Sequence, residues 1–220
     1  NSQSYNMIPS DISPYVPQYV GDQIANNFSM TFDGVDDYFD TGNINGIEVP
    51  DFTVSLWVKF NGNQNSMIFF SGTSLSTNST YIQRSNNDLY FGLGAQSNYI
   101  QSTPTVANNV WHHIVVVATG ASGKIYLNGS DTNASGAALS SARTNLGQNF
   151  TIGKGLQTNG SDGFFVDGQI DEVAIFDTAL NAGQIYNDIY QPTSTGTNQT
   201  ADLVNNPNLP NPVAWYRMGD

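Results

Sequence analysis

A two-residue alternation of apolar side chains in the segment Thr53–Phe60 is the feature that most constrains the fold of this chain. Successive side chains of an extended strand point to opposite faces, so Val54, Leu56 and Val58 share one face and Trp57 lies on the other. This period is typical of a half-buried β-strand. The segment therefore predicts a strand with one face in a hydrophobic core.

Many short segments of similar character occur along the chain, and turns rich in Gly and Asn separate them. The most apolar segment, Trp111–Ala118, is predicted to be a central strand, and Asn128-Gly129 predicts a tight hairpin turn. The other predicted strands are 29–32, 38–40, 66–71, 80–83, 88–93, 98–101, 124–127, 150–153 and 164–176. Regularly spaced short strands favour a sandwich or jelly roll. The sequence thus predicts an all-β fold, a two-sheet antiparallel β-sandwich with one short C-terminal helix.

The predicted helix is the segment Thr178–Tyr190. Thr178 and Asn181 are both candidate N-caps, because their side-chain oxygens can accept from the first free backbone N–H groups. A regular helix would place four apolar or aromatic residues on one face, namely Ala182, Ile185, Tyr186 and Ile189.

Two regions flank the predicted sandwich, which we assign to residues 28–190. Residues 1–27 contain three prolines and little periodicity, and they predict an extended arm that packs on this sandwich or on another subunit. Residues 191–220 are predicted to form a linker rich in Pro, Asn and Thr, followed by a short aromatic strand at Pro212–Met218.

Charge and cysteine content exclude several classes of function. The net charge is −12, with only six Lys and Arg residues. Nucleic-acid binding requires clustered cations, so we exclude it. The absence of cysteine excludes disulfides, thiolate metal sites and cysteine nucleophiles. No apolar run reaches the length of a membrane span, so membrane insertion is not expected either.

Five segments, in chain order, resemble the motifs of laminin-G-like domains in the concanavalin A-like lectin/glucanase superfamily. They are the turn at Phe32–Tyr38, the strands at Phe52–Val58 and Trp111–Val117, the hairpin at Ile125–Gly129, and the closing strand Gly168–Phe176 with Ala179-Leu180. The resemblance implies a concanavalin A-like jelly roll. The chain also resembles laminin-G-like domains in structural proteins of marine tailed phages. Ala214–Asp220 resembles a strand that often begins such a domain, so it either completes the sheet or starts a further unit.

A calcium site is predicted at the turn that begins with Asp33. Asp33, Asp36 and Asp37 place three carboxylates on a tight turn, and Ca²⁺ prefers oxygen ligands of this kind. The resemblance implies that the closing strand lies beside this turn, which would bring Asp171 or Glu172 to the metal. The alternative is that the Asp carboxylates accept hydrogen bonds from backbone amides of the turn.

Catalysis by a pair of carboxylates is not expected. Glucanases that the chain resembles carry Glu-x-Asp-x-(x)-Glu on one strand, but Gln169 occupies the position of the first acid. Asp171 and Glu172 are adjacent on a strand and are predicted to face opposite sides. Asp177 lies about 20 Å further along the strand, far beyond the roughly 5–5.5 Å of retaining enzymes. We therefore predict a protein that is not an enzyme.

A glycan platform is predicted from aromatic residues beside loops rich in Asn and Ser. The candidate ligand-binding residues are Tyr81, Tyr99, Phe164 and Asp162. The alternative for each aromatic residue is a place in the core.

The predicted function is a non-enzymatic binding or adhesion module of a larger surface protein, extracellular or on a virion, which recognises a glycan or a protein partner. Two alternatives stay open. One is a self-associating structural subunit of a phage virion fibre, a capsid decoration or an extracellular filament, and the other is a glycoside hydrolase.

Overall fold

The computed structural model describes residues 23–44, 50–76, 79–94, 96–103, 105–132, 139, 149–195 and 199–218. In chain order the strands are β1 (Gln23–Ala25), β2 (Met30–Asp33), β3 (Phe39–Gly42), β4 (Phe52–Phe60), β5 (Ser66–Ser71), β6 (Ser79–Ser85), β7 (Asp88–Gly94), β8 (Tyr99–Gln101), β9 (Trp111–Thr119), β10 (Ser122–Leu127), β11 (Ser130–Asp131), β12 (Phe150–Ile152), β13 (Gly155–Leu156), β14 (Asp162–Gly163), β15 (Asp167–Phe176), β16 (Gln199–Ala201) and β17 (Ala214–Tyr216). A π-helix, Gln184–Tyr190, continues into the short helix α1, Gln191–Thr195.

Two antiparallel sheets form the sandwich. The first sheet has the order β11-β10-β9-β4-β15-β17, with β2 also paired to β15, and the second has the order β3-β12-β5-β6-β7-β8. Strands β1 and β16 pair separately, and so do β13 and β14. The predicted all-β sandwich is therefore confirmed, and β9 is an interior strand as its composition predicts.

The main core lies between the two sheets, as the alternation in β4 predicts. Val54, Leu56 and Val58 have no exposed surface and belong to this core. Trp57, on the opposite face of β4, is half-buried and lies on the outer face of the first sheet. The predicted hairpin turn is also present, because Asn128 and Gly129 both have positive φ angles, 51° and 77°.

The start of the closing strand differs from its prediction. The strand was predicted from Phe164, whereas β15 begins at Asp167 because Phe164 has a φ angle of 57° and leaves the extended conformation. A β-bulge then interrupts β15 between Asp171 and Ala174, and Glu172 within it has a φ angle of 51°.

The helical segment differs from a regular amphipathic helix. Asn181 is the cap among the two candidates, since Asn181 and Gln184 exchange backbone-to-side-chain hydrogen bonds of 3.0 Å each way. Ile185 and Ile189 are buried, but Ala182 and Tyr186 are exposed. The wider turn of a π-helix changes the residue spacing of each face, which explains why the four predicted residues do not share one.

The described residues 191–195 and 199–218 contain packed structure. Strand β16 pairs with β1, and Ala201, Leu203 and Leu209 are buried in a second apolar cluster on the outer face of the first sheet. Strand β17 pairs with β15, so this segment adds a strand to the first sheet. The predicted arm at residues 1–27 lies outside the described residues except for 23–27, which include β1. Among the described helices, none is long and apolar enough to span a bilayer.

We predict that the segment after α1 is part of the cooperative fold. Leu203 is 3% exposed, so Leu203→Ala should lower the free energy of unfolding by about 2–3 kcal/mol, as loss of a buried leucine does. Its neighbour Val204 is 51% exposed, and Val204→Ala should change the free energy by less than about 0.5 kcal/mol. Urea denaturation measures both, and equal effects would show that the segment does not contribute to the core.

Candidate functional site

A cleft of about 490 Å³ opens on the outer face of the first sheet. Its floor is formed by Trp57 and Trp111, and Asn128 and Asp171 lie at the edges of this floor. One wall is the segment Asn26–Ser29, and the other is formed by three residues of the helical segment and β16, namely Tyr190, Thr193 and Gln199. We refer to this set of residues as the aromatic cleft.

The register of three neighbouring strands places the floor residues together. On one row across the sheet, Trp57 of β4 lies between Asp171 of β15 and His113 of β9. Trp111 lies two residues from His113 along β9 and therefore points to the same face, opposite Lys59. Strand alternation and antiparallel pairing thus create a flat aromatic surface with a carboxylate at one end.

Stacked rings hold Trp57 in place. The ring centroid of Trp57 lies 5.0 Å from that of His113 and 6.1 Å from that of Tyr190, and the rings of His113 and Tyr190 are 5.8 Å apart. His113 is fully buried, and its Nε2 lies 2.8 Å from the hydroxyl of Ser55. Burial lowers the pKa of His113 to about 3, so this imidazole is neutral. The floor beneath the cleft is therefore aromatic and uncharged.

Polar groups at the edges of the cleft are fixed by hydrogen bonds. The side-chain amide of Asn26 donates to Asp171 Oδ2 at 3.0 Å, and the backbone N–H of Glu172 donates to Asp171 Oδ1 at 2.8 Å. Asn128 Oδ1 accepts from the backbone N–H of His113 at 2.9 Å. Phe28 is 63% exposed at the mouth. Rigid polar groups beside open aromatic rings are the features of a site for a small polar ligand.

Glu172 in the bulge joins the closing strand to both ends of the described chain. Its carboxylate accepts from Trp215 Nε1 at 2.7 Å and from Arg217 Nε at 3.4 Å, and Arg217 also donates to the backbone carbonyl of Ala25. Burial, the largest cause, raises the pKa of Glu172 to about 7, and the negative charge of Asp171 raises it as well. The hydrogen bonds from Trp215 and Arg217 act in the opposite direction.

The structure brings the predicted turn carboxylates together. Ligand oxygens of Asp33, Asp36 and Asp37 all lie within 4.8 Å of one another, and all three residues are exposed. Asp33 Oδ1 also accepts from the backbone N–H groups of Val35 at 2.8 Å and Asp36 at 3.3 Å, and the first of these bonds is the main cause that lowers the pKa of Asp33. The turn therefore combines a carboxylate cluster, as a metal site requires, with a carboxylate that accepts hydrogen bonds from backbone amides, as the alternative predicts.

Asp171 and Glu172 do not reach this turn. Strand β2 pairs with β15 as expected, but Asp33 lies opposite Asp167, and Asp171 is four residues further along, about 13 Å away at the rise of a strand. The bulge also breaks the alternation that would separate the two carboxylates cleanly onto opposite faces. The predicted metal residues are thus split between two places, the turn and the bulge in β15.

None of the predicted glycan residues lines the aromatic cleft. Tyr81 and Tyr99 lie on strands of the second sheet, Asp162 lies in β14, and Phe164 follows β14. Tyr81 is 1% exposed and donates its hydroxyl to the carbonyl of Gln96 at 3.0 Å, so its prediction as a surface ligand contact is wrong. It belongs to an apolar cluster that Phe164 partly covers. Tyr99 is 37% exposed and packs edge-on against Tyr90, with centroids 5.1 Å apart. Asp162, the last candidate, forms an ion pair with Lys154 at 2.8 Å.

Sequence reasoning missed the floor and the walls of the aromatic cleft. The outward position of Trp57 was a usable signal only together with Trp111 on the neighbouring strand, because a contiguous aromatic patch on an outer face indicates an interaction site. The walls gave no local signal, since Asn26 and Gln199 meet only through the pairing of β1 with β16.

The geometry defines a lectin-like β-sandwich with a cleft on one outer face. Residues 33–186 match the family model described as the concanavalin A-like lectin/glucanases superfamily. The chain belongs to this superfamily, and the resemblance noted in the sequence is confirmed. No curated protein sequence matches the chain.

Several solved structures share the fold at low sequence identity. A protein from Bacteroides ovatus that is proposed to bind carbohydrate is 13% identical with a TM-score of 0.59, and the alignment covers 90% of this chain and 53% of that one. A mutant NanB sialidase from Streptococcus pneumoniae is 15% identical with a TM-score of 0.60, covering 77% of this chain and 28% of the sialidase. Domain 4 of AbnA, an extracellular arabinanase from Geobacillus stearothermophilus in complex with arabinotriose, is 19% identical with a TM-score of 0.50, covering 76% and 86%.

These comparisons show the fold alone, because every identity is below 20%. The chain spans about half of the Bacteroides protein and under a third of the sialidase.

The buried carboxyl of Glu172 predicts a pH-dependent stability. A pKa raised from 4.5 to about 7 means that the folded protein holds the proton more tightly, so this contribution is fully present below pH 4.5 and is lost as the pH rises through 7. The free energy of unfolding should fall by about 3 kcal/mol from this group across that interval. Glu172→Gln should flatten the decline, which urea denaturation at a series of pH values measures. Asp177→Asn, an exposed carboxyl just after β15, is the control; an unchanged slope in Glu172→Gln would contradict the assignment.

The turn carboxylates predict a stabilising response to calcium. A cation bound only by the folded protein raises the melting temperature, so about 1 mM Ca²⁺ added after chelation should raise it in the wild-type protein. Asp36→Asn removes one ligand while the main turn acceptor, Asp33, remains, and it should abolish the increase. The nearby exposed Asp40 is the control, and Asp40→Asn should keep the increase. A melting temperature that is independent of calcium in the wild type would show that these carboxylates serve only the turn.

Proposed function

We propose that this chain is a non-enzymatic binding module that holds a glycan in the aromatic cleft. The observation that carries the proposal is the open pair Trp57 and Trp111 with fixed amides and a carboxylate at its edges. Sugars present apolar C–H faces that pack on aromatic rings, and their hydroxyls exchange hydrogen bonds with amide and carboxylate groups. The cleft volume of about 490 Å³ is in the range of small-molecule sites.

The comparisons support this choice of ligand class. The superfamily is described as one of lectins and glucanases, and its structural neighbours include a protein proposed to bind carbohydrate and a domain in complex with arabinotriose. Fold alone does not assign function, so the proposal depends on the cleft and takes only its ligand class from these relatives.

The positions of the acidic residues favour binding over hydrolysis. Glycosidases use one carboxyl as a proton donor and a second as a nucleophile or base, both open to the substrate. Within the described part of the chain, Asp171 is the one carboxylate on the cleft lining, and both of its oxygens accept hydrogen bonds. Glu172 has the raised pKa of an acid catalyst, but Trp215 and Arg217 hold its carboxylate away from the lining.

The setting that we propose is a larger surface protein, extracellular or on a virion, in which this module binds a glycan or a glycosylated partner. The polar surface of low charge density, with only 11% charged residues, supports contact with uncharged polymers.

A glycan array with variants of both candidate faces tests the function. Wild-type protein should bind a subset of oligosaccharides, arabinotriose being one probe, and Trp57→Ala should weaken the best interaction at least about tenfold through loss of ring stacking, worth about 1–2 kcal/mol. Because Trp57 also packs on His113, Phe28→Ala at the exposed mouth serves as a second variant, with a weaker loss and an unchanged melting temperature.

The matched control is Tyr99→Ala, which removes an exposed aromatic residue from the second sheet. It should leave glycan binding unchanged. Loss of binding in Tyr99→Ala but not in the cleft variants would move the site to the second sheet. The absence of binding to any glycan would refute the proposed function.

A further inference from the structure

We propose that the aromatic cleft selects uncharged oligosaccharides and excludes those that carry carboxylate or sulfate groups, an inference that rests on the proposed function. The argument uses the charges of the cleft lining and the positions of the chain's few cations. It concerns ligand selection, which the fold and the family leave open.

The lining carries one formal charge, and it is negative. Asp171 is 5% exposed and lies at one end of the floor. The other lining groups are aromatic rings, side-chain amides and hydroxyls, none of which bears a charge. His113 beneath the floor is neutral because burial lowers its pKa to about 3. An acidic ligand would give up hydration on entering this cleft and would meet a like charge in return.

Four of the five described cations are engaged by other groups. The whole chain has six Lys and Arg residues. Three of them pair with carboxylates, Lys124 with Asp131, Lys154 with Asp162, and Arg217 with Glu172.

A fourth cation, Arg84, is buried in the second sheet and donates to uncharged oxygens there. Its acceptors include the carbonyl of Gly62 and the side-chain oxygen of Asn108. It therefore has no path to the cleft. Arg143 lies outside the described residues.

Lys59 provides the competing interpretation, because it lies on the row of Trp111. Arg217 also lies near the cleft, since it donates to the carbonyl of Ala25 beside Asn26, but it pairs with Glu172. The ammonium of Lys59 lies 5.6 Å from the ring centroid of Trp111, outside the cleft lining. In this position it covers part of the ring face of Trp111. An acidic sugar held by Lys59 would therefore contact only the Trp111 end of the cleft. The net charge of −12 adds long-range repulsion against any anionic glycan.

Matched pairs on the same array test the selection. Each pair is a neutral oligosaccharide and the same oligosaccharide with a terminal sialic acid or a sulfate, for example lactose and sialyllactose. We expect every bound structure to belong to the neutral set, with at least about tenfold weaker binding of its charged counterpart at about 50 mM salt. Because salt screens repulsion, the ratio should shrink several-fold at about 500 mM salt, whereas a purely steric exclusion would not change.

Two conservative variants connect the selection to its charges. Asp171→Asn keeps a side-chain oxygen for the wall and should reduce the discrimination against charged members of each pair. Lys59→Gln should leave binding of neutral members unchanged. If the charged member of a pair binds more tightly than the neutral member, and Lys59→Gln removes that preference, this inference is overturned. The proposed function would still stand. Absence of binding to all members would refute the proposed function itself, so the two failures are distinct.

Discussion

The first sheet depends on the pairing of β15 with strands from both ends of the described chain. One edge of β15 pairs with β4, whereas β2 and β17 share the other edge, one after the other. Strand β2 occupies residues 167–170 of that edge and β17 occupies residues 173–175. The bulge at Asp171 and Glu172 therefore lies where the two partner strands meet. A bulge at this point adjusts the register and redirects two acidic side chains at once.

The two acidic residues of the bulge have different tasks because their surroundings differ. Asp171 lies beside Trp57 and anchors the amide of Asn26, so it connects the floor of the cleft to its wall. Glu172 is held by Trp215 and Arg217, so it fastens the last strand to the sheet, and Arg217 extends the connection to β1. A non-glycine residue in the left-handed region costs about 1–3 kcal/mol, and these contacts offset that strain.

The sequence predicted the sandwich well because its strands carry strong local patterns. In β4, Val54 and Trp57 lie on opposite faces of the sheet, as the alternation of apolar residues in the sequence predicts. The candidate site was less accessible because its walls are brought together by long-range pairing. Ser29 and Gln199 are 170 positions apart, and no local sequence motif predicts that both line the same cleft. Tyr81 shows the converse limit: it was predicted as a ligand contact because it is an aromatic residue beside polar loops, but Leu75 and Phe164 pack with it and it is buried.

The aromatic cleft combines residues of the shared sandwich with residues of the flanking segments. The floor residues Trp57 and Trp111 lie inside the region shared with the superfamily, residues 33–186. Both walls lie outside that region, at residues 26–29 and 190–199. The helical segment and the residues after it pack on this outer face through apolar contacts that include Ile189 and Leu203, and Tyr190 stacks on Trp57 beside the cleft. Since the shared strands provide a flat aromatic surface and the flanking segments set the depth and polarity of the cleft, substitutions in the flanking wall residues change the shape and polarity of the proposed site without altering the strands of the sandwich.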